Sequence, residues 1–528
     1  MYNFTKQVLI TFISLTFVSS LHAQEASDGI KFAQRQATGT ARSQAIGGAM
    51  GSLGGDISAA GVNPAGLGFF KTSEFSITPG FNFFTNKTAY PYTSDNLNQK
   101  GTYSNDRSLL TIPAAGLVLP LGEAAGTNWR SFTLGINFTP TTNFANKTYL
   151  EGDNYRYSMT DKWVQDLRNQ TATVNHVLGD YTHELYSDGA KLGVATYLLD
   201  IMTLNGNSDW YSSANAANGL LQIDRVTEKG FSYELSAAVA ANYGDKWMFG
   251  LTVANENLTY KKERAYSEDD ISGVNDNEFA FWEYQVKQKT KGDGYNVKLG
   301  VIYTPTSSIR IGAAFHTPTW YQMVTTNDNV MITNTENFEV DGSSERSSAT
   351  RNFYGNNPSE LIYKYRTPYK ALASVSYIFG TRKFEPKAVG FITADVEYID
   401  YTTTHYRITE QKYNQNVLNA EIKQNYKSAF NTRIGGELKI DWLALRGGFA
   451  YNGSPYNFGD ADGSTKKISG GVGFRKHGVF LDLTYVHTMS SIPYYSFNIA
   501  QPKGTLANYG GVSDIRMGTV AATFGVKF

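Results

Sequence analysis

MGTVAATFGVKF, residues 517–528, ends the chain and decides how the rest is read. Gly518, Val520, Ala522, Phe524, Val526 and Phe528 share one parity; Thr519, Ala521, Thr523, Gly525 and Lys527 share the other. A period of two belongs to an extended strand, whose successive side chains point to opposite faces. VFLDLTYVH (479–487) repeats the pattern, with Val479, Leu481, Leu483 and Tyr485 opposite Asp482 and Thr484. In SIRIGAAFH (308–316), Ile309, Ile311, Ala313 and Phe315 oppose Arg310, Gly312, Ala314 and His316.

Outward from these segments, alternation predicts about fourteen strands. They lie at 74–84, 107–119, 129–139, 231–243, 247–258, 285–304, 308–324, 361–379, 388–401, 428–440, 442–451, 467–475, 479–488 and 514–528. Tight connections (YGDK 243–246, TPTS 304–307, KID 439–441, RKHG 475–478) alternate with long ones, at 85–106, 140–230, 259–284, 325–360, 402–427, 452–466 and 489–513. Short turns on one side and long loops on the other are the habit of outer-membrane barrels. Hydrocarbon offers no partner to a backbone amide, so a sheet inside it must close on itself. The expected fold is all-β: a transmembrane antiparallel barrel of about fourteen strands, in the bacterial outer membrane.

Composition agrees. The 528 residues include 35 Tyr, 31 Phe, 50 Gly and no Cys, with 18% charged residues and zero formal net charge. That balance gives nucleic acid nothing to bind. Without Cys there are no disulfides, thiolate catalysis or Cys-based metal sites. Residues 1–23 read as a signal peptide, with Lys6 ahead of an apolar run from Val8 to Leu21 and Ala23 before the cut. After residue 23 no apolar run approaches the roughly 18 residues of a membrane helix.

Parity also assigns a polar interior: Arg310, His316, Asp395, Glu397, Arg433, Glu437, Lys439, Arg446 and Asp482 fall on lumen-facing positions. Both signs occur, which favours cross-strand ion pairs. A bore this wide needs filling. Residues 24–70 precede the first strand and carry SLGGDISAAGVNPAGLGFF (52–70), whose small and turn-forming residues suit a plug folded back into the lumen. Asn63-Pro64-Ala65-Gly66 supplies the turn, and 30–50 could hold a short helix. Residues 71–528 would form the barrel and its loops.

At this element the sequence resembles the outer-membrane hydrocarbon and long-chain fatty acid transporters, the FadL/TodX-like family. Asn63-Pro64-Ala65, with Gly66-Leu67 just before the first strand, matches that family's hatch motif, and 298–321, 445–456 and 466–487 look similar in texture. The resemblance implies fourteen strands, an N-terminal hatch, and hydrophobic cargo released sideways into the membrane. Only the hatch positions Asn63, Pro64, Ala65 and Gly66 are carried over. The chain departs from the family in its long 140–230 loop.

That loop is too long to lack structure. TDKWVQDLRN (160–169) and AKLGVATYLLDIM (190–202) read as amphipathic helices. Leu192, Ala195, Leu198, Leu199 and Met202 would line an apolar ligand groove, or else pack as a lid. In the third strand, WRSFTLGINFTP, Gly135 and Pro140 mark a candidate lateral opening. His176 and His183, DADGST (460–465) and the acidic 267–278 loop fall short of metal-site patterns. No catalytic motif stands out, and no cofactor is expected. The function expected is passive, hatch-gated uptake of hydrophobic small molecules, with lipid the other partner. The alternatives are a non-transporting platform for secretion or surface proteins and, more remotely, an outer-membrane hydrolase.

Overall fold

A computed structural model describes residues 26–36, 38–89, 97–99, 102–122, 127–170, 172–179, 186–339, 342–380, 389–408, 415–457, 462–500 and 506–528. The expected leader, 1–23, lies outside them. Fourteen antiparallel strands form the wall. The first three are β1 (Glu74–Ala89), β2 (Tyr103–Pro120) and β3 (Trp129–Asn143), followed by β4 (Leu220–Tyr243), β5 (Trp247–Asp270) and β6 (Phe281–Thr306). Three strands are each broken once: β7 (Ile309–His316, Trp320–Asn334), β8 (Ser359–Arg366, Lys370–Phe379) and β9 (Val389–Asp400, His405–Ile408). The last five are β10 (Ser428–Ile440), β11 (Leu443–Asn452), β12 (Thr465–Lys476), β13 (Val479–Ala500) and β14 (Leu506–Lys527). β14 pairs with β1 from Glu74↔Lys527 to Ala89↔Val512, closing the barrel.

The outer face is apolar where lipid must touch it. On β6, Tyr295, Val297, Leu299, Val301 and Tyr303 point outward. This span approaches the roughly 9–11 residues a tilted membrane strand needs. Trp129 and Tyr243 (ring centroids 5.0 Å apart) and Trp247 and Tyr303 (4.3 Å) form an aromatic girdle at the short-turn end. No described helix is long and apolar enough to cross a membrane.

Several strands run beyond their expected ends. β5 was expected to stop at residue 258 and continues to Asp270, its outward positions changing to Thr259, Lys261 and Glu263. The ladder persists above the membrane, where water removes the apolar contrast that alternation detects. The breaks in β7 and β8 fall at Pro318 and Pro368, which have no N–H to donate. Thr319 N instead donates to Thr367 Oγ1 (2.8 Å), and Thr367 N to Thr319 O (3.1 Å).

Above the barrel, the 140–230 connection forms a strand (Asn146–Asn154), three helices (Thr160–Asn169, Val174–Leu178, Asp188–Ala195) and a hairpin (Leu199–Leu204 with Asn207–Ser212). The helix expected over 190–202 is corrected. It ends at Ala195, Tyr197 takes φ +59°, and the chain turns at Asn205 (φ +53°) and Gly206 (φ +79°). Asn-Gly between apolar runs is a strong hairpin signal, and here it overrides the helical spacing. Leu192, Leu198 and Leu199 are buried with Trp163, Trp210, Trp282 and Met331, Ala195 is partly buried against them, and Met202 is exposed. Leu192, Ala195, Leu198 and Leu199 therefore pack into the core of a lid, whereas Met202 borders a cavity that it shares with Tyr211, Asn277 and Glu278.

Glu268, at the top of β5, anchors that lid. It is fully buried and accepts from Met159 N (2.8 Å), Gln222 Nε2 (2.9 Å), Tyr266 OH (2.8 Å), Trp282 Nε1 (2.9 Å) and Ser158 Oγ. Burial pushes its carboxyl pKa up, outweighing those donors. A carboxylate with a raised folded-state pKa contributes stability below its unfolded pKa, and loses that contribution as pH rises through the folded one. Proteolysis of the lid in the folded barrel should therefore quicken as pH rises from the ordinary carboxylate range to neutrality. Glu268→Gln should flatten the profile; an unchanged profile in the variant contradicts the assignment.

Candidate functional site: the plugged lumen and a gap in its wall

Residues 26–36 and 38–70 occupy the bore. Helix α1 (Ala26–Ala33) reaches its upper half, where Phe32 packs edge-on against Phe144 (5.8 Å), Tyr260 (5.5 Å) and Tyr365 (6.2 Å). Helix α2 (Ala41–Ala45) begins at Thr40, whose hydroxyl accepts from Ser43 N (3.1 Å) and donates to Asp56 Oδ2 (2.7 Å). This N-cap ties the start of the helix to the plug's second half.

The Asn-Pro-Ala-Gly element seats the plug on β6 and β7. Asn63 Nδ2 donates to Gly51 O (2.6 Å), Val301 O (3.2 Å) and Ala313 O (3.3 Å), while Asn63 Oδ1 accepts from Ala65 N (3.2 Å). Asn63, Pro64, Ala65 and Gly66 are all buried. Such close approach requires a wall without side chains. A methyl group at Gly300 would overlap Asn63 Oδ1, one at Gly250 would overlap Pro64 and Ala65, and one at Gly312 would overlap Gly51. Across the bore, Gly435 and Gly448 do the same for Ile46 and Gly47.

Eight of the nine polar residues expected to face the lumen meet the plug or one another. Arg310 donates to Leu53 O (2.5 Å) and lies 4.0 Å over the Phe69 ring. His316 Nε2 donates to Val62 O (2.8 Å), and Asp395 accepts from Gly51 N (3.0 Å) and Ser374 Oγ (2.6 Å). Glu397 accepts from Asn431 and Arg433, each at 2.8 Å. Glu437 accepts from Arg446 (2.6 Å) and from Arg42 of α2 (3.1 Å), and Arg446 also donates to Asp482 (2.6 Å). Lys439, also expected to face the lumen, is exposed beside the short turn after β10.

A second network escaped the sequence reading. Arg35 donates to Glu234 (3.3 Å) and to Glu256, and Lys298 donates to Glu234. The inward parity of Glu234, Glu256 and Lys298 within β4, β5 and β6 was the signal available.

Between the plug and the wall lies a cavity of about 330 Å³. Its lining is mixed: Lys298, Lys370, Arg433 and Lys467 stand among Phe84, Phe144, Ile399, Ile515 and Met517, and one side is Thr139–Asn146 of β3 and its continuation. The wall is incomplete on that side. β2 pairs with β3 only from Pro120↔Thr133 to Ala115↔Phe138, although β2 continues to pair with β1 as far as Tyr103. Pro113 and Pro140 stand at the lower corners of the gap, neither with an N–H to offer across it. Beyond Phe138 the register of β3 against β4 slips between Pro140 and Thr142, and the strand turns towards the plug. Pro140 O accepts from Thr38 Oγ1 (2.5 Å), Thr141 O from Gln36 N (2.8 Å), and Thr142 Oγ1 donates to Gln34 O (2.9 Å). Arg107 reaches Glu228 O (3.3 Å) at the upper end of the gap.

Of the remaining sequence signals, His183 and residues 460–461 lie outside the described residues. In the 267–278 loop, Asp270 is occupied by Ser272 (2.9 Å) and Asn277 (2.6 Å). No group of three or more metal-ligating side chains occurs among the described residues.

No family model and no curated protein matches the chain at a significant level. Among solved structures, a FadL homologue from Pseudomonas aeruginosa is similar with a TM-score of 0.54 at 12% identity, covering 94% of this chain and 100% of its own. The Pseudomonas putida toluene transporter TodX gives 0.45 at 12% identity, covering 94% and 100%, too distant a likeness to add weight. The chain thus shares the fold of the Pseudomonas aeruginosa FadL homologue; in this chain it is a closed barrel of fourteen strands whose amino-terminal segment folds into the bore.

Proposed function

We propose that this barrel takes up hydrophobic small molecules, long-chain fatty acids or hydrocarbons, across the outer membrane. Cargo leaves water for the cavity between plug and wall and passes sideways between β2 and β3 into lipid, while the plug bars the straight route. The observation that carries the reading is the continuity of the cavity with the bend in β3, at the place where wall pairing stops. The similar Pseudomonas aeruginosa fold supports it.

Each buried Å² of apolar cargo surface gains about 25 cal/mol. The gradient and downstream consumption then suffice to drive transfer, and no chemical step is required. Asn63, Pro64, Ala65 and Gly66 act as the hatch that holds the plug against the wall, and the ion pairs around Glu437 and Arg446 fix its other side. The mixed lining suits cargo with one polar end. Cells lacking their own channels for hydrophobic compounds should take up labelled long-chain fatty acid faster when they carry this barrel. Uptake equal to that of empty cells, with the barrel correctly assembled, refutes the proposal.

A further inference from the structure

β4, β5 and β6 bring Lys229, Lys261 and Lys289 into one row. Lys229 stands directly opposite Lys261, and Lys261 directly opposite Lys289. All three point outward and are exposed, as is Lys291 two residues along β6. Further round the wall, Lys364 of β8 faces Arg407 of β9, and Arg366 faces His405, again on the outer side. Like charges directly opposed across strands destabilise a sheet, whereas alternating signs would stabilise it. Carboxylates nearby answer little of this charge. Glu263 lies 3.9 Å from Lys229, and Asp293 accepts from Asn255 (2.9 Å). Lys261, Lys289 and Lys291 have no ion-pair partner among the described residues.

The height of the row tells what faces it. Two residues below Lys229 the outer face becomes Phe231, and below Lys291 it reaches Tyr295, opposite Trp320. These are large exposed aromatics at the upper edge of the apolar band. The cations thus stand just above the hydrocarbon on the long-loop side, at headgroup depth. Neighbouring strands are about 4.8 Å apart, so adjacent lysines can share one phosphate.

We propose that this outward row is a docking surface for the phosphorylated headgroup of an outer-leaflet lipid. Phosphate oxygens between the lysines replace the missing counter-charges and relieve the repulsion along the row. The lipid would stand beside the strand that borders the wall gap, yet its binding does not depend on transport.

The test uses the full-length barrel in nanodiscs of phosphatidylethanolamine, with or without a minor fraction of diphosphoryl lipid A. Lipid retained after detergent extraction is counted by native mass spectrometry. Wild-type protein should retain lipid A, and high salt should remove it. Lys261→Gln with Lys289→Gln should weaken retention by about thirtyfold, whereas Lys427→Gln, outside the row, should leave it unchanged. Heat-modifiable gel mobility confirms that each variant is folded. Equal retention by the double variant overturns the proposal. So does loss of lipid A to added inorganic phosphate at matched ionic strength, since the row would then read a free ion.

Discussion

Gly300→Val, alone and with Gly250→Val, is expected to turn a closed barrel into a conducting one. Both glycines lie on the wall behind the plug, where an added side chain would occupy the positions of Asn63 Oδ1 and of the Pro64–Ala65 backbone. Overpacking a tight site costs about 1–3 kcal/mol. Displacing Asn63 also strands its buried donors to Gly51, Val301 and Ala313, at about 1–3 kcal/mol for an unsatisfied group. The sum, about 2–6 kcal/mol, shifts the seated plug by about thirtyfold to about twenty-thousandfold, since each 1.4 kcal/mol is about a factor of ten. Neither glycine's ladder hydrogen bonds are touched, so the barrel should still assemble. In planar bilayers the wild type should remain silent and the double variant should show ion conductance, with its N-terminal segment newly open to protease. A silent, protected double variant contradicts this account of the seat.

The second large effect concerns the gap. Thr139 lines the cavity just below the bend at Pro140. Thr139→Trp would place a bulky ring where the lumen meets the break between β2 and β3. Uptake of labelled long-chain fatty acid by cells should fall by at least about tenfold, the effect of some 1.4 kcal/mol on the limiting step. Ligand retained by the purified barrel should change much less, because the cavity itself remains. The split between retention and uptake is diagnostic: if both collapse together, the substitution has filled the binding space, and if neither changes, cargo leaves elsewhere.

The barrel was legible because lipid and lumen impose opposite demands on adjacent residues. Ile309, Ile311, Ala313 and Phe315 against Arg310 and His316 can be sorted without any structure, and the sorting places both polar groups against the plug. Legibility failed where that contrast ends. Above the membrane the outward residues of β5 become Thr259, Lys261 and Glu263, and nothing in the pattern separates a ladder from a loop. In the lid, AKLGVATYLLDIM satisfies helical spacing throughout, yet Asn205-Gly206 pulls its second half into a hairpin. The gap was half visible. Pro140 marks its lower corner on β3, but Gly135 lies below it, still paired with Val118 and Ala238, and the gap also needs Pro113 on β2 and the anchors Gln34, Gln36 and Thr38, which no single strand's pattern reveals.

The exit proposed for cargo is sideways, through the break between β2 and β3. Photo-crosslinking tests it most directly, with a long-chain fatty acid carrying a diazirine on its tail, added to outer membranes that contain the barrel. Adducts are predicted on cavity-lining residues from Thr139 to Asn146 and on Ile112 at the outer edge of β2. Adducts absent from those positions, and found instead along the plug towards the short-turn end of the bore, would contradict it.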